Sequence, residues 1–577
     1  MVLQQYDYIF AIGTIFAFLD AWNIGANDCA NSWSTSVSSR SLKHWQAMIL
    51  GSIMEFAGAV GVGNSVSDTI RTKIVKIDAF ADNAPLLMLG MCCAVVASAI
   101  YLTICTKIGL PVSTTHSILG GILGMGIALI GADDIIWWGG DINSGVVQVF
   151  LAWVIAPLLS GVAGALIFLI TKYGILLRRN PALRALYTIP FYFLPNYQPS
   201  YQYVLIVWKG GSSRIDLEGP EIAGTVVGVG FGMALFSAVF LCPWIYRRVI
   251  RSDWQLKPWD MIYGPLLFRR GEVPPRPAHV ETVRNYYRGH KTLEELQAER
   301  STDVEQSHRN SNSEPESPDL KAEHQVTANS HDETQSVDPD VINVSGPRPE
   351  GAWYTTPVLF WLLKKAFLNG VEQDIVSAQK GESRLAGDLE KTHAHATHYD
   401  NEAEYMFSFL QILTACTASF THGANDVANA VGPYATIYAI WRTGALEGAK
   451  TEVPIWILVF GGAAIAIGIW TYGYHIMRNL GNRLTLHSPS RGFAMELGAA
   501  IAVIVATRLK LPVSTTQCIT GATVGVGLCD GTWRTINWRM VAWIYMGWII
   551  TLPCASIIAG CLTGIIVNAP RWGMPNA

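Results

Sequence analysis

About twelve runs of mostly apolar residues do most to constrain this 577-residue chain. They lie near 8–24, 45–63, 85–105, 111–130, 145–170, 187–208, 222–246, 405–422, 454–477, 493–509, 512–528 and 540–566. A helix crossing the roughly 30 Å hydrocarbon core needs about 20 such residues, and only backbones that satisfy their own hydrogen bonds survive there. The runs therefore predict an all-α polytopic membrane protein. Only 15% of residues are charged, against about 25% in soluble proteins. The net charge of −3 offers nucleic acid no electrostatic footprint. The ten cysteines lie in or beside apolar stretches without metal or disulfide spacing and read as packing residues. The run Phe10 to Leu19 lacks the basic leader of a cleavable signal and reads as a retained first span.

Direction follows from basic residues, which collect on the cytoplasmic side. Lys172, Arg178, Arg179 and Arg184 follow the fifth run, and Arg247, Arg248, Arg251 and Lys257 follow the seventh. Asp133, Asp134 and Asp141 precede the fifth run and belong outside. Alternate crossings then put both termini outside and residues 249–403 in the cytoplasm. That loop is hydrophilic, and from Arg270 to Glu350 it lacks apolar periodicity, so it is expected to be largely disordered. Within it, Trp353 to Asn369 is basic and apolar, suited to the inner membrane surface or to packing on the membrane body. His393, His395 and His398 have no carboxylate or thiolate partner at fixed spacing and give no metal-ligand pattern. Asn343-Val-Ser345 matches a glycosylation acceptor that a cytoplasmic loop never presents.

The chain repeats itself. Gly25-Ala-Asn-Asp-Cys-Ala-Asn31 recurs as Gly423-Ala-Asn-Asp-Val-Ala-Asn429, and Leu110-Pro-Val-Ser-Thr-Thr115 recurs as Leu511-Pro-Val-Ser-Thr-Thr516. The first copy begins from outside and the second from inside. The halves are thus expected to be inverted, with discontinuous helices and a binding site at their interface near mid-membrane. The division is repeat 1 over 1–170, a two-helix insertion over 171–248, the loop over 249–403, and repeat 2 over 404–577.

Carboxylates and amides inside apolar runs usually face a cavity, an ion or a partner. If helical, Asn27, Asp28 and Asn31 share a face, and the glycine before them permits a helix break that frees carbonyl oxygens. The same holds for Asn425, Asp426 and Asn429. Such oxygens suit Na⁺; helix-to-helix hydrogen bonding is the alternative. Pro111 and Pro512 fit a helix's first turn. The hydroxyls of Ser113, Thr114, Thr115, Ser514, Thr515 and Thr516 would then surround helix N-termini, which are ready anion sites, or simply cap them. An anion beside Asp28 and Asp426 needs cations to offset repulsion, which links the two binding events. Carboxylates that accept a hydrogen bond favour hydrogen phosphate over sulfate. Glu55 and Glu496 are further carboxylates within membrane runs, as ion ligands, proton-linked groups or structural partners. An intramembrane hydrolase, suggested by Asp28, His116 and Ser113, lacks nucleophile or metal spacing.

The paired GANDxAN and PVSTT motifs, in halves separated by a hydrophilic loop, resemble the inorganic phosphate transporter family of sodium- or proton-coupled phosphate symporters. The pattern is similar to the fungal plasma-membrane branch, which is sodium-dependent. The resemblance covers roughly 1–250 and 400–577, not the loop. It implies that Asn27, Asp28, Asn425 and Asp426 lie in the ion and phosphate site, with the two Ser-Thr-Thr triplets around the phosphate. With Asn31 and Asn429 added from the shared helix faces, the expected sodium set is Asn27, Asp28, Asn31, Asn425, Asp426 and Asn429, and phosphate is expected at Asp28, Asp426 and the triplets. Glu55, His116, Glu496 and Gln517 would support them, and Gln517 stands where the family usually has histidine. It further implies import by alternating access, no cofactor, no metal beyond sodium, and a tendency to dimerise. Proton coupling, or a phosphate sensor signalling through the loop, are the alternatives.

Overall fold

The computed structural model describes residues 2–64, 74–139, 145–192, 219–277, 280–301, 343–380, 385, 387–446, 453–508 and 513–568. Among these the chain is helical, with only an isolated bridge between Val75 and Ile135 in extended pairing. Helices α1 (Gln4–Ser38), α2 (His44–Val62), α3 (Ala84–Ile108), α4 (Thr114–Ile130) and α5 (Val146–Leu176) form the first half. Helices α6 (Pro181–Tyr192) and α7 (Val227–Ile250) follow, and a short α8 (Thr356–Leu368) lies within the hydrophilic segment. The second half comprises α9 (Asn401–Thr443), α10 (Ile455–Tyr472), α11 (Pro489–Arg508), α12 (Thr515–Leu528) and α13 (Trp538–Asn568).

Eight described helices are long and apolar enough to cross a membrane. The other predicted runs differ for physical reasons. α4 and α12 are shorter than a full span, with 17 and 14 residues. α9 is 43 residues long but buries many polar side chains along its length, from Ser408 and Gln411 to His422, Asp426 and Asn429. Residues 193–208 of the sixth run lie outside the described residues.

The halves are exchanged, each lending its elements to the other. α2 packs on α9 and α10 on α1; α5 packs on α11 and α12, and α13 on α3 and α4. Glycines repeat this exchange at atomic distance. A Cβ on Gly58 of α2 would sit 2.0 Å from Phe420 O of α9, and one on Gly468 of α10 would sit 2.0 Å from Trp22 O of α1. Reciprocal backbone contacts of this kind are what two repeats related by a twofold axis produce, and they bring both signature motifs to one interface.

The hydrophilic segment is less formless than its composition suggests. Residues 302–342 lie outside the described residues, but Tyr286 and Tyr287 are buried against the membrane body. Tyr287 Oη donates to Glu404 at 2.8 Å, and the Glu404 carboxylate also caps α11 by accepting from Ser490 N at 2.7 Å. Arg491 and Asp530 form a buried ion pair at 2.7 Å. α8 exposes Phe360, Leu363 and Phe367, beside exposed Trp353 and Tyr354.

His393 corrects the reading of a polar-loop histidine. It is buried, with Nε2 2.5 Å from Asn482 O and Nδ1 3.1 Å from His290 Nδ1. Burial pushes its pKa from 6.5 down to about 4, and lowers that of His290 too. The folded ring is therefore neutral, whereas the unfolded ring takes a proton below 6.5. Its stabilising contribution is complete above pH 6.5 and is lost as pH falls toward 4, by up to about 3 kcal/mol. We expect protease cleavage within 280–301 to rise as pH falls from 7.5 to 5, and His393→Asn to flatten that profile.

Candidate functional site

The glycines of the first motif do not break their helices. Gly25–Cys29 forms one wide π-turn within α1, and Gly423 to Asn429 continues α9 without interruption. Close approach is what these glycines supply. A Cβ on Gly25 would lie 2.0 Å from Ile465 O of α10, and one on Gly423 2.3 Å from Glu55 O of α2. Any side chain here would separate the helices that carry the site.

The break comes at the second motif. α3 ends at Gly109, whose φ of +74° suits glycine, and the chain runs extended to Ser113 before α4 begins. Pro111 therefore precedes the cap rather than occupying the helix's first turn, and Pro512 lies outside the described residues. Ser113 and Ser514 are the N-caps, accepting from His116 N at 3.2 Å and Gln517 N at 3.4 Å. Their hydroxyls are thus turned onto their own helices.

The four threonines turn outward to the aspartates. Asp28 accepts from Thr114 Oγ1 at 2.6 Å and from Thr516 Oγ1 at 2.5 Å. Asp426 accepts from Thr515 Oγ1 at 3.0 Å and from Thr115 Oγ1 at 3.4 Å. Each aspartate is therefore tied to both half-helices, one from each repeat. Asn429 donates to Thr114 and Thr115 at 3.1 Å and to Asp426 at 3.3 Å, while Asn425 donates to Asp426 at 3.1 Å. Thr114 N also points to Asp28, at 3.4 Å, so a helix N-terminus faces this carboxylate.

Asn27 does something else. Its amide donates to Thr106 Oγ1 and Leu110 O at 3.1 Å and accepts from Val112 N at 3.0 Å, pinning the extended link between α3 and α4. That is structural bonding between segments, outside the aspartate cluster. The side chain of Asn31 lies outside the described residues.

Glu55 and Glu496 are both buried but are not repeat mates, for Glu55 is on α2 and Glu496 on α11. Glu496 accepts from Thr35 at 2.6 Å, Ser36 at 2.8 Å, Gln411 at 3.2 Å and Thr414. Glu55 accepts from Ser419 at 2.7 Å and faces His422 Nδ1 at 2.8 Å. His422 Nε2 lies 2.8 Å from Asp426. This histidine was missed in the motif comparison because its counterpart in repeat 1 is Ile24. The available signal was its position directly before Gly423 in an apolar run. Oxygens of Asp28 and Asp426 and a His422 nitrogen all lie within 4.8 Å of one another. His116 Nδ1 accepts from Trp153 Nε1 at 3.2 Å, and Gln517 is buried at the matching position of α12.

Two inverted half-helices, two aspartates and a threonine quartet are thus gathered at one point. Residues 24–559 match the family model described as the phosphate transporter family. The chain belongs to the phosphate transporter family. As such it is a multi-pass membrane transporter, not a hydrolase. It is 60% identical to the phosphate-repressible phosphate permease of Neurospora crassa, over 99% of this chain and 100% of that one. It is 29% identical to a putative phosphate permease of Pyrococcus furiosus, over 96% and 95% of the two chains. It is 25% identical to mouse sodium-dependent phosphate transporter 1, over 97% and 96%. A solved structure titled the sodium-dependent phosphate transporter shares the fold, with TM-score 0.57 and 23% identity over 97% of this transporter and 99% of that chain.

Proposed function

We propose that this transporter imports inorganic phosphate across the plasma membrane in symport with sodium, by alternating access, with both termini outside and residues 249–403 in the cytoplasm. The observation that carries the reading is the cross-bracing of Asp28 and Asp426 to the starts of both half-helices. Two buried carboxylates this close repel strongly at low dielectric. His422, when protonated, would offset part of that charge, and small cations would offset the rest. Each threonine hydroxyl that has donated to a carboxylate keeps lone pairs for a cation, so the cluster offers the hard oxygens that Na⁺ takes. Asp28, Asp426, Asn425 and Asn429 would hold sodium.

Phosphate then binds where the carboxylates have been neutralised. The two helix N-termini would supply N–H donors to its oxygens, and an aspartate would accept the proton of hydrogen phosphate. Thr114, Thr115, Thr515 and Thr516 could add hydroxyl donors only by turning their single protons from the neutralised carboxylates to phosphate. Ser113 and Ser514 would shape the site through the helix starts they cap. Because each aspartate grips both repeats, cation binding draws α4 and α12 together, and release on the other side loosens them. Relatives titled sodium-dependent support sodium as the coupling ion. A second reading, proton coupling, is favoured by His422, which faces carboxylates from both ring nitrogens.

Labelled phosphate uptake into liposomes holding the purified protein separates the two. Replacing external sodium with choline should reduce uptake to background at constant pH. Uptake that persists in choline and follows an inward proton gradient would replace sodium with protons in this reading.

A further inference from the structure

Among the carboxylates buried in the membrane helices, Asp20 has no role in the site described above. It lies on α1, fully buried, and its carboxyl oxygens have no close hydrogen bond among the described residues beyond the neighbouring Ser98 hydroxyl. A charge left in that condition inside a membrane protein costs several kcal/mol and calls for a compensating positive group. Among the described residues no basic side chain pairs with it.

The surroundings say what would compensate it. Asp20 faces the seam between α1 and α3, where the Ser98 hydroxyl lies within interaction range. Ser98 also donates to Ser117 Oγ, at 3.0 Å. One turn further along α1, Asn23 directs its amide N–H groups to Leu19 O, Ala99 O and Thr103 Oγ1, at 2.9, 3.3 and 2.9 Å. Thr103 has in turn given its proton to Ala99 O, at 2.7 Å. Asn23 Oδ1 is buried without a partner. The Asn23 and Thr103 donors are thus spent and the Ser98 hydroxyl is shared between Ser117 and Asp20, while the acceptors left over include carboxyl oxygens, an amide oxygen and a hydroxyl lone pair. A buried set of oxygens richer in acceptors than in donors, around one negative charge, is ligand chemistry for a hard monovalent cation.

We propose that Asp20, Asn23 and Ser98 form a second cation site, which binds Na⁺ between α1 and α3. Asp20 precedes Asp28 by eight residues, about 12 Å along a helix at 1.5 Å per residue. Asn23 and Asn27, with Thr103 and Thr106 opposite, form a polar ladder between the two positions. A cation here therefore sits within reach of the aspartate pair while keeping its own ligands. A proton on Asp20 would satisfy one acceptor, whereas a cation contacts the whole set.

The proposal rests on the sodium-coupled reading, and the test separates their failures. Phosphate uptake into liposomes is measured against sodium concentration for the wild type and Asp20→Asn, which keeps size and shape. We expect the variant's half-saturating sodium to rise at least about fivefold, and the steepness of the sodium curve to fall. Its phosphate half-saturation at saturating sodium should stay within about twofold. In detergent without phosphate, sodium should raise the melting temperature less for Asp20→Asn than for the wild type. Superimposable sodium curves for variant and wild type would overturn the second site and leave symport standing. A wild type indifferent to sodium would overturn the coupling and this site with it. Should Asp20→Asn fail to accumulate, Ser98→Ala carries the test: half-saturating sodium raised at least about twofold supports the site, and an unchanged value overturns it.

Discussion

Asp28→Asn and Asp426→Asn should each reduce sodium-driven phosphate uptake at least about 100-fold, while leaving the protein folded in the membrane. The expectation follows from what asparagine keeps and what it loses. The two threonines at each position donate to different carboxylate oxygens, Thr114 and Thr516 at position 28 and Thr115 and Thr515 at position 426. The single amide oxygen still accepts from one of them, while the new NH2 can donate to the hydroxyl of the other. The packing of α4 and α12 should therefore survive. What disappears is the negative charge that attracts the cation and strengthens those hydrogen bonds. A hydrogen bond to a charged group contributes about 1.5–3 kcal/mol. Loss of about 3 kcal/mol from the loaded state corresponds to more than a hundredfold in binding. Uptake at equal surface expression checks this, and near-normal uptake by either variant would remove that aspartate from the site.

Gly423→Ala should be as damaging by another route, through the fold. The added methyl would lie 2.3 Å from the Glu55 carbonyl oxygen and 2.8 Å from Glu55 Cα, both backbone atoms. No rotamer change relieves a backbone clash, so α2 and α9 must separate, which pulls Glu55 from His422 and disturbs the aspartate cluster. Overpacking of this kind costs about 1–3 kcal/mol and sometimes more. We expect the melting temperature in detergent to fall by at least about 5 °C, with loss of uptake. Gly61→Ala on α2 is the matched control, since nothing lies within 4 Å of its added methyl. Its melting temperature should change by no more than about 1 °C.

What the sequence made legible depended on duplication. Asp28 and Asp426, with the threonines of both triplets, were found because each motif occurs twice, and the structure brings all of them to one place. Unpaired features were harder to see. His422 aligns with Ile24 and Asp20 with Ala418, so comparing the repeats passed over both, although polar residues at helical spacing in apolar runs were visible. Glycine misled for a different reason. A glycine permits either a break or a close approach, and only the neighbouring backbone decides which. For Gly25 and Gly423 that neighbour is more than 360 residues away in α10 or α2. The ordered parts of the hydrophilic segment were hidden in the same way, since Tyr286, Tyr287 and His393 gain their burial from the membrane body rather than from local periodicity.

The central claim is that cations at the aspartate pair make phosphate binding favourable. Equilibrium binding of labelled phosphate to the purified transporter, in saturating sodium and in choline at the same ionic strength and pH, tests it most directly. Coupling of ordinary strength predicts binding at least about tenfold tighter in sodium, with that difference abolished in Asp28→Asn. Equal phosphate affinity in sodium and choline would contradict the account.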